Sequence, residues 1–326
     1  MAAPNAVFTE LVTTTFRKHK KSFADNLSNN NAFLSYMMKA GRKKLVDGGN
    51  SLVCPLDYGS NGTYQRYSGY DPLNITAQEV LSAAEYPWRQ ISISVVASGE
   101  ELRKNKGGSR IIDLAKSRMT NAMRTWKNNF SNDLYADGSL PNQIDGLAKL
   151  VGDTPTGTVG GISAASFAFW QNKVQSAAAP LQGGGAITPS GLSGIMESLM
   201  LPLWLECARG NDLPQLIVAD NNYYSFYELG LVSLKRYTND DNSAQGGFVK
   251  LKYKNADVIY DGNSGILDNR MYFMNLDFYE LMVHEDADME VLDSDRPYNQ
   301  DASIIPILWM GNTTCSNRAQ QGVVKP

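Results

Sequence analysis

Hydrophobic positions along the chain change their period several times, and each change marks an element. The strongest signal covers residues 109–135. Ile111, Ile112, Ala115, Met119, Ala122, Met123, Trp126, Phe130 and Leu134 recur every three or four residues, which places them on one face of an α-helix. Ser109 can cap that helix and Gly138 stops it, so the spacing predicts a rod of roughly 40 Å. Phe33, Tyr36, Met37 and Ala40 predict a short helix ended by Gly41. Another starts at Thr188-Pro189, an N-cap followed by proline at the first helical position. Leu192, Ile195, Met196 and Leu199 line it, Pro202 kinks it and Gly210 closes it. Asp220 caps a short aromatic helix from Tyr223 to Leu229.

Period-two patterns fill much of the remainder, so the predicted class is α+β. Trp88, Gln90, Ser92 and Ser94 alternate with Arg89, Ile91, Ile93 and Val95. Gln215 to Ala219 reads as a buried strand. Phe248–Tyr253, Val258–Tyr260, Met271–Met274 and Tyr279–Val291 follow. The last has Tyr279, Leu281, Val283, Ala287, Met289 and Val291 on one face, and Glu280, His284, Asp286, Asp288 and Glu290 on the other. Ile304 to Met310 is a further apolar strand, broken by Pro306. Between residues 45 and 98, turn signals at Asp47-Gly48-Gly49, Gly59, Asn61-Gly62 and Gly69 separate short extended pieces. They predict a long two-stranded excursion with little core of its own. A lone ribbon is marginal in water, so a neighbouring subunit is its expected support, with Tyr64 and Tyr67 in the contact.

Composition sharpens this picture. The chain has 326 residues, 43% hydrophobic, which is ample for one large folded unit or two modest domains. Only 19% are charged, below the usual quarter, so much of the surface is uncharged or covered by other chains. The net charge of −3 gives no nucleic-acid footprint over the whole chain. Its distribution is uneven, however. Residues 1–44 hold eight basic and two acidic side chains, a net of +6, including the cluster Arg17, Lys18, Lys20 and Lys21. Residues 277–301 hold nine acidic and one basic, a net of −8.

Candidate chemistry is sparse. No nucleophile elbow, phosphate-binding glycine loop or dinucleotide fingerprint occurs, and Gly183-Gly184-Gly185 reads as a flexible loop. His19 and His284 are the only histidines, and His284-Glu285-Asp286 lacks zinc-ligand spacing. The acidic run there could hold Ca²⁺ weakly, but a solvated strand face is the plainer reading. Cys54, Cys207 and Cys315 lie far apart and are odd in number, so neither a metal site nor a disulfide framework is assigned. Tyr223, Tyr224, Phe226 and Tyr227 could stack on sugars or bases, though core packing is the simpler use. No catalytic, cofactor-binding or metal-binding residue is therefore assigned. Met1 to Glu10 lacks the pattern of a signal peptide, and no apolar run reaches the roughly 18 residues of a membrane span. Synthesis in a reducing cytoplasm is expected.

The order of the elements carries a resemblance. A short arm comes first, then a long extended hairpin. Tyr86-Pro87-Trp88-Arg89-Gln90-Ile91-Ser92-Ile93 returns from it into Ser98-Gly99-Glu100-Glu101-Leu102. A long helix follows and ends at Asp133-Leu134-Tyr135-Ala136-Asp137-Gly138. This resembles the arm, extended loop and spine helix of the Hong Kong 97-like fold of tailed-phage capsid proteins. Pro214 to Val218 before the Tyr223-Tyr224 helix resembles a step in that fold's axial domain. Met271 to Asp277, leading into Leu281-Met282-Val283-His284, resembles its return to the peripheral domain. The resemblance implies an arm at 1–44 and an extended loop at 45–98. It implies a peripheral domain at 99–140 and 277–302, and an axial domain at 141–276 and 303–326.

The resemblance further implies hexamers and pentamers of this chain in an icosahedral virion shell. The shell encloses double-stranded DNA and is assembled in the bacterial host, with a portal at one vertex and room for a decoration protein. Only about 44 residues precede the extended loop, so the scaffold is expected to be a separate protein. No lysine occurs between Lys44 and Lys104, so no crosslinking residue carries over. A nanocompartment shell is the alternative within the fold, and a sugar-binding or hydrolytic domain the alternative outside it. The charge pattern adds one expectation. The arm of one subunit, through Arg17, Lys18, Lys20 and Lys21, lies near Asp286, Asp288 and Glu290 of another, with an arm facing DNA or scaffold as the competing reading.

Overall fold

The computed structural model describes residues 31–104, 114–179, 195–232, 251–262, 265–293 and 298–326. Helix α1 (Ala32–Lys39) leads into strand β1 (Lys43–Val46), a ribbon of β2 (Leu52–Asp57) and β3 (Leu81–Tyr86), and β4 (Arg89–Ser98). Helices α2 (Gly99–Lys104), α3 (Leu114–Asp133) and α4 (Leu147–Leu150) follow. The short strands β5 (Thr158–Val159) and β6 (Ile162–Ser163) precede β7 (Lys173–Ser176). Then come α5 (Leu201–Cys207), β8 (Leu216–Ala219) and α6 (Asn221–Val232). The last strands are β9 (Leu251–Tyr253), β10 (Ala256–Tyr260), β11 (Met271–Met274), β12 (Tyr279–Val291), β13 (Ala302–Cys315) and β14 (Gly322–Lys325).

Two sheets organise this α+β chain, with strand orders β1-β12-β13-β4 and β7-β14-β11-β8-β10-β9. The six-stranded sheet is buried on both faces, and the period of two sorts its residues. Leu216, Val218, Tyr272, Met274 and Val323 enter one core. Ile217, Ala219, Met271, Phe273 and Val324 enter the other, which α5 and α6 close with Leu203, Trp204, Tyr223 and Tyr227. Burial on both faces explains why β8 and β11 read as unbroken apolar runs. The first core continues to Leu281 and Val283 of β12 and Trp309 of β13, so the two sheets share one hydrophobic body.

Of the long predicted helix, residues 114–133 are helical, about 30 Å, and 109–113 lie outside the described residues. Its inward face is aromatic. Phe130 is buried, stacks on the half-buried Trp126 with ring centres 4.6 Å apart, and meets Trp309 edge-on at 4.9 Å. Ser98 and Glu101 form a capping box at α2. Glu101 N–H donates to Ser98 Oγ at 3.2 Å, and Ser98 N–H donates back to Glu101 Oε2 at 3.1 Å. Arg118 of α3 donates to both oxygens of that carboxylate, at 2.9 and 3.0 Å, and to the Val96 carbonyl. At the far end the Leu147 N–H donates to the Leu134 carbonyl at 2.7 Å. Gly146 passes the helix so closely that a Cβ there would stand 2.5 Å from backbone atoms of Asp133 and Ala136.

Several details follow their sequence signals. Asp220 Oδ1 accepts the Tyr223 N–H at 2.9 Å and caps α6. A π-turn over Ile195–Met200 hands over to α5 at Pro202, where proline has no N–H with which to continue a ladder. The predicted start at Thr188-Pro189 lies outside the described residues.

Other expectations are refined or corrected. The last part of the expected arm, residues 31–44, is built into the fold: α1 inserts Phe33, Leu34 and Met37 into the first core. The buried Asp261 carboxylate accepts the N–H groups of Ala32 and Phe33, each at 3.0 Å, and the Tyr135 hydroxyl at 2.6 Å. It caps α1 from just past the end of β10, at the helix end where the dipole favours negative charge. Residues 89–98 do not belong to the extended ribbon, nor 303–315 with β14. They pair with each other, from Arg89↔Gly311 to Ser98↔Ala302, inside the four-stranded sheet. β13 also runs through Pro306 unbroken. The Pro306 carbonyl accepts the Leu292 N–H, so the missing donor points toward β12, where the ladder has just ended at Ile307. The alternation of β12 holds only to Val283. Register shifts between Val283 and Asp288 and between Asp288 and Glu290, with Met289 at φ 57°, leave Ala287 half-buried, Met289 half-buried at the edge of the first core and Val291 exposed.

Candidate intersubunit surfaces

The ribbon is supported at its base and bare at its tip. β2 and β3 pair from Leu52↔Tyr86 to Asp57↔Leu81. Their inner face, Leu52, Cys54, Leu56, Ala84 and Tyr86, is buried against the same chain. The Tyr86 hydroxyl donates to the Cys315 carbonyl at 2.8 Å, and the Glu85 N–H donates to the Gly160 carbonyl in the β5–β6 turn at 3.0 Å. Gly160 has φ 59°, and a Cβ there would lie 2.9 Å from the Ala84 Cβ, so only glycine lets the turn close on the ribbon. The base therefore needs no neighbour, contrary to the expectation for the whole excursion. At its root the Trp88 indole N–H donates to the Gly49 carbonyl at 2.8 Å, and the Trp88 ring leans on His284.

Residues 58–80, between the two strands, invert the usual polarity. Tyr64 is 81% exposed, Tyr67 64% and Ile75 91%, with Tyr70 and Leu73 also open to solvent. Soluble monomers rarely gather such side chains on one projection. Both tyrosines singled out from the sequence stand here.

The charged surfaces are partly satisfied within the chain. β1 lies parallel on β12, from Lys43↔Leu281 to Val46↔His284. Arg42 pairs with Asp277 at 2.5 Å, Lys44 with Glu280 at 2.6 Å, and Lys43 with Asp288. Asp288 is thus engaged by its own subunit, whereas Glu285, Asp286 and Glu290 are exposed. Residues 42–44 therefore belong with the β1–β12 pairing, and Lys43–Val46 carries its signal in the sequence as a short strand ending in two apolar residues. Arg17, Lys18, Lys20 and Lys21 lie outside the described residues.

All three cysteines are buried, and burial pushes the Cys315 thiol up to about 12 and raises those of Cys54 and Cys207. Tyr223 and Tyr227 face the second core and offer no stacking platform. His284 Nδ1 accepts the Asp286 N–H at 3.1 Å. Among the described residues no group of three His, Cys, Asp or Glu side chains is placed to hold a metal ion, and no helix is long and apolar enough to cross a membrane.

No protein-family model matches the sequence, and no curated protein matches it either. Solved structures do. The chain is similar to one in the cyanophage A-1(L) capsid asymmetric unit, with a TM-score of 0.69 and 15% identity over 95% of this chain and 96% of that one. The capsid of a native GTA particle gives a TM-score of 0.59 and 10% identity, covering 94% of each chain. The holo-SrpI encapsulin complex from Synechococcus elongatus gives 0.55 and 8%, covering 98% of this chain and 95% of that one. Similarity of this extent, end to end, shows that the chain has the Hong Kong 97-like fold of tailed-phage capsid proteins.

Proposed function

We propose that this chain is the major capsid protein of a tailed phage, assembling as hexamers and pentamers into an icosahedral head around double-stranded DNA. The observation that carries the reading is the ribbon: a base fixed in the chain's own core and a projecting tip whose apolar side chains no described residue of the subunit covers. Low charge content and the likeness to a cyanophage capsid chain support it. A nanocompartment shell is the second reading, favoured by the encapsulin likeness, which has the lower TM-score. In the phage reading the partners are further copies of the chain, a separate scaffolding protein, a portal, room for a decoration protein, and DNA bound without sequence specificity.

Electron microscopy of purified particles, with their nucleic-acid content, tests both readings. Hollow shells or capsomers are expected, with a scaffold added if needed. A monomer that stays monomeric at high concentration, unmoved by any co-expressed phage protein, overturns the proposal. Trypsin offers a finer check. Arg66 and Arg89 are the only cleavage sites between Lys44 and Arg103, and Arg66 is exposed on the tip. Cleavage after Arg66 should be rapid in free subunits and blocked in particles.

The arm extends this proposal. Arg17, Lys18, Lys20 and Lys21 of one subunit dock near the exposed Asp286 and Glu290 of another. Single exposed pairs contribute about 0–1 kcal/mol, so the effect is on steering and register. Reversing Lys18, Lys20 and Lys21 to Glu should slow assembly, and changing Asp286 and Glu290 to Lys should restore part of it. Asp288 is left out because Lys43 holds it. Normal assembly of the triple reversal, or no rescue, assigns the arm to DNA or scaffold instead.

A further inference from the structure

We infer that Gln65 and Asn74 form an amide clamp that presets the ribbon tip in the shape a second copy of this chain captures. The inference rests on the capsid reading. Backbone pairing across the ribbon ends at its base, where the N–H groups of Tyr58 and Gly59 reach the Val80 carbonyl at 3.0 and 3.4 Å. Farther out, side chains tie the limbs. Gln65 Nε2 donates to the Pro72 carbonyl at 2.9 Å, and Gln65 Oε1 accepts the Asn74 N–H at 3.0 Å. One primary amide offers a donor and an acceptor to two groups two residues apart, as the N–H and C=O of a single residue do in a parallel β-ladder. Pro72 has no N–H and could not complete a regular ladder there.

Asn74 continues the clamp. Its Nδ2 donates to the Gly62 carbonyl at 3.3 Å, and its Oδ1 accepts the Thr76 N–H at 3.1 Å. At the far end Asp71 Oδ2 accepts the Ser68 N–H at 2.9 Å and closes the reversal at Gly69, φ 53°. The amides thus hold the limbs together while Tyr64, Tyr67, Tyr70, Leu73 and Ile75 face solvent. A segment that orders only on binding charges its entropy to the interface; the clamp moves that cost into folding, so the tip docks preformed. Arg66, Asp71 and Glu79 are the only charged side chains between residues 58 and 80, a net of −1, which leaves an aromatic and aliphatic row for an apolar partner. In a shell that partner is another copy.

The test uses full-length chains carrying Gln65→Leu, which keeps bulk without hydrogen bonds, and Gln65→Glu, which keeps the acceptor but turns an oxygen on the Pro72 carbonyl. In free subunits, hydrogen exchange at Asn74 N–H should quicken about fivefold in Gln65→Glu, where the oxygen turned on the Pro72 carbonyl opens the clamp, and further in Gln65→Leu, which also loses the acceptor of that N–H, with the melting temperature unchanged. Assembly at neutral pH should slow by roughly ten- to thirtyfold. Near pH ~4.5 the introduced carboxyl, once protonated, regains an O–H donor. Relative to the parent chain at the same pH, Gln65→Glu should then recover and Gln65→Leu should not. If the parent assembles and the variants exchange faster yet assemble at the parental rate, the clamp has no role in capture and the inference is wrong. Unchanged exchange equally overturns it. Protection of Arg66 only when a different protein is added overturns the second copy as occupant. Failure of the parent chain to assemble at all strikes the capsid reading instead.

Discussion

Asp261→Asn offers the sharpest test of how the chain's first described segment is anchored. Two N–H donors from α1 and one hydroxyl from Tyr135 end on this buried carboxylate. Hydrogen bonds to a charged group contribute about 1.5–3 kcal/mol each. An asparagine keeps one acceptor oxygen. Placed where Oδ2 now lies, it retains Phe33 and Tyr135 as neutral partners and turns its NH₂ against the Ala32 N–H. One charged bond is lost and two are weakened, so the expected cost is about 3–4 kcal/mol. Tyr135→Phe removes a single donor and should cost about 1–2 kcal/mol. Urea unfolding of free subunits, followed by tryptophan fluorescence, measures both. The double variant should show a coupling of about 1 kcal/mol, because the two groups share a hydrogen bond. A loss below 1 kcal/mol for Asp261→Asn would refute the account of the cap, and additivity would refute the shared bond.

Gly146→Ala should destabilise by about 2–3 kcal/mol, since its Cβ meets backbone that cannot rotate away, whereas Gly157→Ala, with open space around it, should be near neutral; equal melting temperatures contradict this. Trp126→Ala should cost about 3 kcal/mol, the low end for a large aromatic because the ring is only half-buried, and an unfolding shift under 1 kcal/mol means that its stack on Phe130 stabilises little. The Arg118 guanidinium holds the Glu101 carboxyl below its ordinary range against the opposing effect of burial. A depressed pKa adds stability that is present above the unfolded value and lost as pH falls through the folded one. Acid titration of stability should therefore be shallower in Arg118→Met across and just below the usual glutamate range, and parallel curves would dismiss the contact.

Local signals predicted local structure well. The spacing of Phe33 and Met37, the Asp220 cap and the limits of β12 all emerged from pattern and end signals, because adjacent residues determine them. Partners across the chain were harder. Nothing near Trp88 says that its strand pairs with residues 302–311 rather than folding back on the ribbon, since alternation reveals a face and not a neighbour. Tyr64 and Tyr67 are expected contact residues because they sit among turn signals without a core, and the structure adds that they are exposed. The bonds of Gln65 and Asn74 across the tip have no sequence signal, because amides in a turn-rich segment look like ordinary solvent-facing residues. The intrachain pairing of Lys43 with Asp288 was likewise hidden, because a sum of charges carries no geometry.

The placement of β13 and β14 bears on when a subunit can exist at all. β14 lies between β7 and β11, and β13 lies between β12 and β4, so late segments occupy interior positions in both sheets. The bond from Tyr86 to Cys315, which seats the ribbon, joins residues 229 positions apart. Closing so many distant pairs makes folding slow, and until it finishes both sheets present open edges to other chains. A chain interrupted before residue 302 would lack the Cys315 carbonyl that holds Tyr86 and the third strand of the four-stranded sheet. Completion of residues 302–325 is thus a condition on the fold itself: a polypeptide that stops short leaves β4, β12, β7 and β11 with open edges on which other chains can pair.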